Sequence, residues 1–166
     1  MEKIIRGNVW KLGDNIDTDV IYPGKYLPII EPAEMAEHVL EGIDPDFPKK
    51  IKKGDIIVAG ANFGCGSSRE QAATSLKVAG IGCIIAVSYS RIFFRNAINQ
   101  ALPLVHSAEA VNLVNEGDSI AIDFKKGTIQ LREKTLTFLP LPDVVTEILE
   151  TGGLIEWTKN RLAARS

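Results

Sequence analysis

Asp55-Ile56-Ile57-Val58-Ala59-Gly60, then Asn62-Phe63-Gly64-Cys65-Gly66-Ser67-Ser68-Arg69-Glu70, then Gln71-Ala72-Ala73-Thr74-Ser75-Leu76-Lys77, is the stretch that decides how this chain folds. A short apolar run bounded by Asp and Gly reads as a buried strand, and the segment after the glycines reads as a helix over residues 68–78. Ser67 and Glu70 have the spacing of a capping box, in which a hydroxyl and a carboxylate satisfy the first free N–H groups of a helix. A helix start leaves those N–H groups unpaired and carries a partial positive charge. A carboxylate or a developing oxyanion is stabilised there, beside Arg69. Capping alone accounts for Ser67 and Glu70, but it does not call for a second Ser, an Arg and two nearby glycines. The junction is therefore read as a site for a small acidic molecule.

Outward from this junction the rhythm repeats. Residues 83–87 read as a strand, 91–98 as a helix and 102–105 as a strand, which is the βαβ pattern of a parallel sheet. Further on, residues 119–124 and 128–132, separated by Lys125-Lys126-Gly127, read as a hairpin, and 136–139 as one more strand. The expected class is α/β, mixed rather than purely doubly wound. Before the junction, residues 4–12 read as a strand and 13–25 as a turn-rich loop. A helix is expected over 32–40, with Met35, Val39 and Leu40 on one face. Asp44-Pro45-Asp46-Phe47-Pro48 reads as a rigid surface connection. At the C-terminal end a helix over 142–149, a break at Gly152-Gly153 and a last helix through Trp157 to Leu162 are expected. With no repeat, low-complexity tract or linker, residues 1–166 read as a single domain.

The chain has 166 residues, 45% of them hydrophobic, enough for a real core. Its 19 Lys and Arg against 21 Asp and Glu give a net charge of −2, so no broad basic field exists for nucleic acid or an anionic membrane. Any anion site must be local. No apolar run is long enough to span a bilayer, and Met1-Glu2-Lys3-Ile4-Ile5-Arg6 lacks the apolar core of a signal peptide, so a cytoplasmic location is expected. Cys65 and Cys83 are too few for a disulfide framework or an iron–sulfur ligand set.

Other candidates weigh less. Asp14, Asp17 and Asp19 invite a hard cation, but the EF-hand pattern is not met and they read as turn formers or hydrogen-bonding members of a loop facing the ligand; no metal is expected. Arg91 and Arg95, four residues apart, share one side of a helix, with Phe94 and Ile98 on another. Two aligned cations suit a carboxylate or another subunit, and a solvated charged face fits the spacing equally well. Asn96 and Asn99 suit either loop backbone or a pocket. His38 and His106 have no Ser or Cys partner arrangement for a nucleophilic triad. Gly60, Gly64 and Gly66 do not match the dinucleotide fingerprint, and no phosphate-binding loop with its Lys is present. Cys65 reads as a small packing residue.

Together, Asp14-Asn15-Ile16-Asp17-Thr18-Asp19, Asn62-Phe63-Gly64-Cys65-Gly66-Ser67-Ser68-Arg69-Glu70 and Ser90-Arg91-Ile92-Phe93-Phe94-Arg95-Asn96 resemble the small subunits of 3-isopropylmalate dehydratases, in the aconitase superfamily. The resemblance covers nearly the whole chain. It implies the swivelling β/β/α three-layer domain of the aconitase C-terminal region. It also implies a partner: a large subunit holding a [4Fe-4S] cluster, with no cofactor bound by this chain. The implied reaction removes a proton from carbon and a hydroxyl from its neighbour, then returns water with the positions exchanged. By the resemblance Ser67 is the general base, and Ser68 and Arg69 bind the substrate carboxylate. A serine is a very weak base unless its ionised form is favoured, and a glycine-rich helix start beside an Arg is one way to favour it.

Within this family the loop Tyr26-Leu27-Pro28-Ile29-Ile30 is implied to choose the substrate. Homoaconitase-type relatives carry an Arg after the Tyr-Leu pair, suited to a third carboxylate, whereas this chain has Pro28 and then two Ile. Burying methylenes is worth about 0.8 kcal/mol each and a buried unpaired carboxylate is penalised, so 3-isopropylmalate is expected over homocitrate. Citramalate and 2,3-dimethylmalate satisfy the same logic. A reading from another class, a non-catalytic small-molecule-binding or regulatory module, is opposed by the joint presence of Ser67, Ser68 and Arg69.

Overall fold

The computed structural model describes residues 3–166. Met1 and Glu2, part of the stretch read for a signal peptide, lie outside the described residues. In chain order the elements are β1 (Ile4–Lys11), α1 (Thr18–Ile21), a 3-10 turn (Gly24–Tyr26), α2 (Pro32–Ala36), α3 (Phe47–Lys50), β2 (Ile56–Ala59), α4 (Glu70–Ala79), β3 (Cys83–Ala86), α5 (Arg91–Asn99), β4 (Leu104–His106), α6 (Ala108–Leu113), β5 (Ser119–Asp123), β6 (Thr128–Leu131), β7 (Lys134–Thr137), α7 (Asp143–Glu150) and α8 (Leu154–Ala163).

The strands form one curled sheet in the order β4-β3-β2-β1-β5-β6-β7. β1 to β4 are mutually parallel, as the alternating helices require, and β5 to β7 run antiparallel through hairpins. β2 and β3 are buried on both faces, which is why they read as unbroken apolar runs rather than alternations. Ile57, Ala59, Ile84, Ala86 and Leu104 face a core built with Leu76 of α4, Phe93 of α5 and Met35 of α2. Ile56, Val58, Cys83, Ile85 and Val105 face the opposite way, into a second core with Ile120, Ile122, Ile129, Leu131 and Leu136 from the antiparallel strands. Helices, parallel strands and curled-over antiparallel strands thus make the α, β and β layers of the expected three-layer architecture.

Several local expectations are corrected. Residues 13–25 are not simply a loop: Asp17 caps α1 by accepting the Val20 N–H at 2.8 Å, and Ile21 and Tyr22 are fully buried. The 32–40 helix ends at Ala36, because Leu40 takes a left-handed φ of 58° and gives its N–H to the Ile21 carbonyl at 2.7 Å. Met35, Val39 and Leu40 are nevertheless all buried, as their pattern indicated. Phe47, expected on a surface connection, begins α3 and packs its ring 4.7 Å from that of Trp10.

That corner also explains a buried charge. Asp55, 4% exposed, accepts from Trp10 Nε1 at 2.8 Å and from the Lys52 N–H at 2.9 Å. Removing the carboxylate strands both donors, so Asp55→Ala is expected to cost about 1–3 kcal/mol in urea unfolding. A cost below ~0.5 kcal/mol would contradict this account.

Candidate functional site

The three sequence motifs leave the sheet side by side. β1, β2 and β3 are adjacent parallel strands, so the segments that follow them emerge at the same edge, the carboxyl end where open α/β sheets place their ligands. The 60–69 loop is clasped between the other two. On one side Gly60 and Gly64 donate to the carbonyls of Gly13 and Ile16, at 3.0 and 2.7 Å, and Asp14 accepts the Ala61 N–H at 2.7 Å. On the other, Ser90 donates its hydroxyl to the Gly64 carbonyl at 2.7 Å and its N–H to Phe63 at 2.9 Å, while accepting from Phe93 as the cap of α5. Thr18 finishes the clasp: its N–H reaches the Cys65 carbonyl at 2.9 Å and its hydroxyl the Ser67 carbonyl at 2.8 Å.

The result is a rigid backbone presenting free side chains. Ser67 and Ser68 are exposed, and neither hydroxyl has a hydrogen-bond partner among the described residues. The expected capping box does not form. The cap of α4 is Arg69, without a side-chain cap bond, and the Glu70 carboxylate is taken by Gln100 Nε2 at 2.7 Å. The first-turn N–H groups of α4 keep their positive potential beside Ser67 and Ser68.

Arg69 is turned toward the 19–26 segment. Its Nη1 donates to Asp19 at 2.6 Å and to the Tyr22 carbonyl at 3.1 Å, and its side chain is only 15% exposed. The Asp19 pKa is held below the usual carboxylate range by that bond and by the Gly24 N–H. The other three guanidinium N–H donors have no partner among the described residues. Asp14, Asp17 and Asp19 each accept a backbone N–H through one oxygen, and among the described residues no group of three His, Cys, Asp or Glu side chains converges. Cys65 is half-buried in the loop, while Cys83 is sealed in the sheet and burial pushes its thiol pKa well up.

The Tyr26-Leu27-Pro28-Ile29-Ile30 loop hangs from this anchor. Tyr26 does not offer its side chain freely: its ring stacks on His38 at 3.6 Å and its hydroxyl donates to Glu41 at 2.6 Å. His38 also contacts Glu41, at 2.8 Å. Burial works to raise the Glu41 pKa, but the hydrogen bonds from Tyr26 and His38 outweigh it and the net direction is down. Leu27 and Pro28 are exposed, Ile29 is half-buried and Ile30 is 84% exposed, so the loop presents an apolar edge. His38, read from sequence without a role, supports this loop; nothing in its helical spacing signalled that.

α5 supplies the last component. Gly66, Ser90, Arg91, Ile92 and Arg95 line a depression of about 450 Å³ directly against the serine loop. Phe93, Ala97 and Ile98 on the other face of α5 are buried, which forces the two arginines outward.

Comparison with known proteins agrees with this geometry. The Aconitase C-terminal domain family matches residues 37–109. The 3-isopropylmalate dehydratase small subunit of Thermodesulfovibrio yellowstonii is 51% identical over 96% of each chain. The isopropylmalate/citramalate isomerase small subunit of Methanocaldococcus jannaschii is 51% identical over 98% of each. A crystal structure of 3-isopropylmalate dehydratase from that organism superposes with a TM-score of 0.93 at 45% identity, covering 98% of this chain and 97% of the other. Aconitase X from Thermococcus kodakaraensis, at 18% identity and a TM-score of 0.52 over 78% of this chain and 91% of that one, shares the fold alone. With near-full-length identity around one half and the three loop motifs assembled at one sheet edge, the chain belongs to the family of 3-isopropylmalate dehydratase small subunits.

Proposed function

We propose that this chain is the small subunit of a two-subunit hydro-lyase that interconverts 2-isopropylmalate and 3-isopropylmalate, a step of leucine biosynthesis, and that all 166 residues act as one swivel-type unit in the cytoplasm. The observation that carries it is the pair of unengaged hydroxyls, Ser67 and Ser68, on a loop fixed from both sides at the carboxyl edge of the sheet. In this reading Ser67 takes the proton from carbon. Its alkoxide is favoured by the N-terminal end of α4, and once protonated the same hydroxyl returns a proton in the rehydration half. Ser68 and the remaining donors of Arg69 hold a substrate carboxylate. The Asp19 bond fixes the guanidinium before substrate arrives, so less rotamer freedom is lost on binding.

Among the described residues no group of three His, Cys, Asp or Glu side chains converges; in this reading the [4Fe-4S] cluster of this enzyme class belongs to a large subunit, where it would supply a Lewis acid for loss and return of the hydroxyl group. Exposure of Ser67 fits a site completed by that partner.

Leu27, Pro28, Ile29 and Ile30 favour an alkyl substituent over a third carboxylate. The test is an anaerobic assay of the assembled enzyme on 3-isopropylmalate, citramalate, 2,3-dimethylmalate and homocitrate. An alkylmalate is expected to have the highest kcat/KM, and preference for homocitrate would reject the loop argument.

A further inference from the structure

We infer that Arg91 and Arg95 form a second carboxylate-binding subsite, distinct from that of Ser68 and Arg69, taking the other carboxylate of a dicarboxylate substrate. The inference rests on the functional reading above and adds two residues to it.

Both arginines are exposed, and neither forms an ion pair or hydrogen bond among the described residues. One helical turn apart, Arg91 and Arg95 lie on the same side of α5 and line the same depression. No acidic residue lines it with them. Gly66 of the serine loop lines it as well and is followed directly by Ser67.

The helix is held firmly where this matters. Ser90 ties the start of α5 to the serine loop through its hydroxyl bond to Gly64, so Arg91 and Ser67 belong to one rigid unit. Gly64 leaves room for Phe93, where a Cβ would come within 2.2 Å of the ring, and this lets the helix approach the loop closely. Arg91 and Arg95 can each fork onto a carboxylate oxygen pair, and a carboxylate between two guanidiniums is held by charge-assisted bonds whose planar geometry an ammonium does not reproduce. Arg69, by contrast, has already given Nη1 to Asp19 and Tyr22. A substrate with two carboxylates needs more cationic capacity than Arg69 retains.

The test uses the assembled enzyme with R91K, R95K and R91K/R95K, measuring KM and kcat for the preferred alkylmalate and, separately, the affinity between the two subunits. Each single variant is expected to raise KM about tenfold, with kcat within about threefold and subunit affinity unchanged. Unchanged KM in both single variants would overturn the inference. So would a loss of activity that follows weakened subunit association, which would make these arginines a partner contact instead. Wild-type enzyme that turns over none of the alkylmalates would reject the functional reading itself, and this subsite with it.

Discussion

Ser67→Ala is expected to lower kcat on the preferred alkylmalate by about 10³-fold, within the range of roughly 10² to 10⁴ for removal of a positioned general base. Thermal stability and subunit affinity should be unchanged. The reason lies in how Ser67 is held. Its backbone carbonyl is fixed by Thr18, but its hydroxyl is exposed and unpartnered within the chain, so truncation leaves no buried group stranded. Ser67 thus separates function from folding. A variant that kept more than a tenth of wild-type kcat would remove the base from Ser67. One that lost activity through a lowered melting temperature would show that the residue is structural.

The second large effect falls on folding. Gly64→Ala is expected to cost about 2–5 kcal/mol, read from the urea midpoint, and to abolish activity with it. Two terms add. Gly64 has φ of 77°, where an L side chain costs about 1–2 kcal/mol. A Cβ there would also lie 2.2 Å from Phe93 Cγ, and forcing an extra carbon into a packed core costs roughly 1–3 kcal/mol. Gly66→Ala isolates the first term. Gly66 has φ of 90°, but its nearest neighbours to an added Cβ are at 3.6 Å, ordinary contact distance. It should lose only about 1–2 kcal/mol. Equal losses at the two glycines would contradict the packing argument.

How much of this was legible in the sequence depends on the range of the interactions involved. β2, β3, α4 and α5 were readable because both strands are buried on two faces and the helix carries one apolar side, so local pattern and tertiary environment agree. The antiparallel hairpin was readable from its turn. The candidate site was recognisable as three motifs, and strand order then explains why they meet, since β1, β2 and β3 are neighbours. What spacing could not convey was which side chains are already occupied. Arg69 is claimed by Asp19 from 50 positions away, and Tyr26 by Glu41 from 15. Glu70 has the right spacing to cap its own helix, yet it bonds Gln100, 30 positions along. A local rule loses there to a long-range partner. The short helices α3 and α6, at four and six residues, were missed because neither is long enough to show a 3.6-residue period.

The occupied and unoccupied groups sort by task. Asp14, Asp17, Asp19, Thr18 and Ser90 are spent on fixing loops, and Ser67, Ser68, Arg91 and Arg95 are left facing outward. Such a division suits a half-site, rigid in itself and completed by another chain.

The most direct measurement is a titration of this chain into a fixed amount of the proposed large subunit, treated to reconstitute the proposed cluster, under anaerobic conditions, following conversion of 3-isopropylmalate. Turnover should be absent without this chain and rise with added chain to a plateau at a fixed subunit ratio. Full turnover by the large subunit alone, or none at any ratio, would contradict the account.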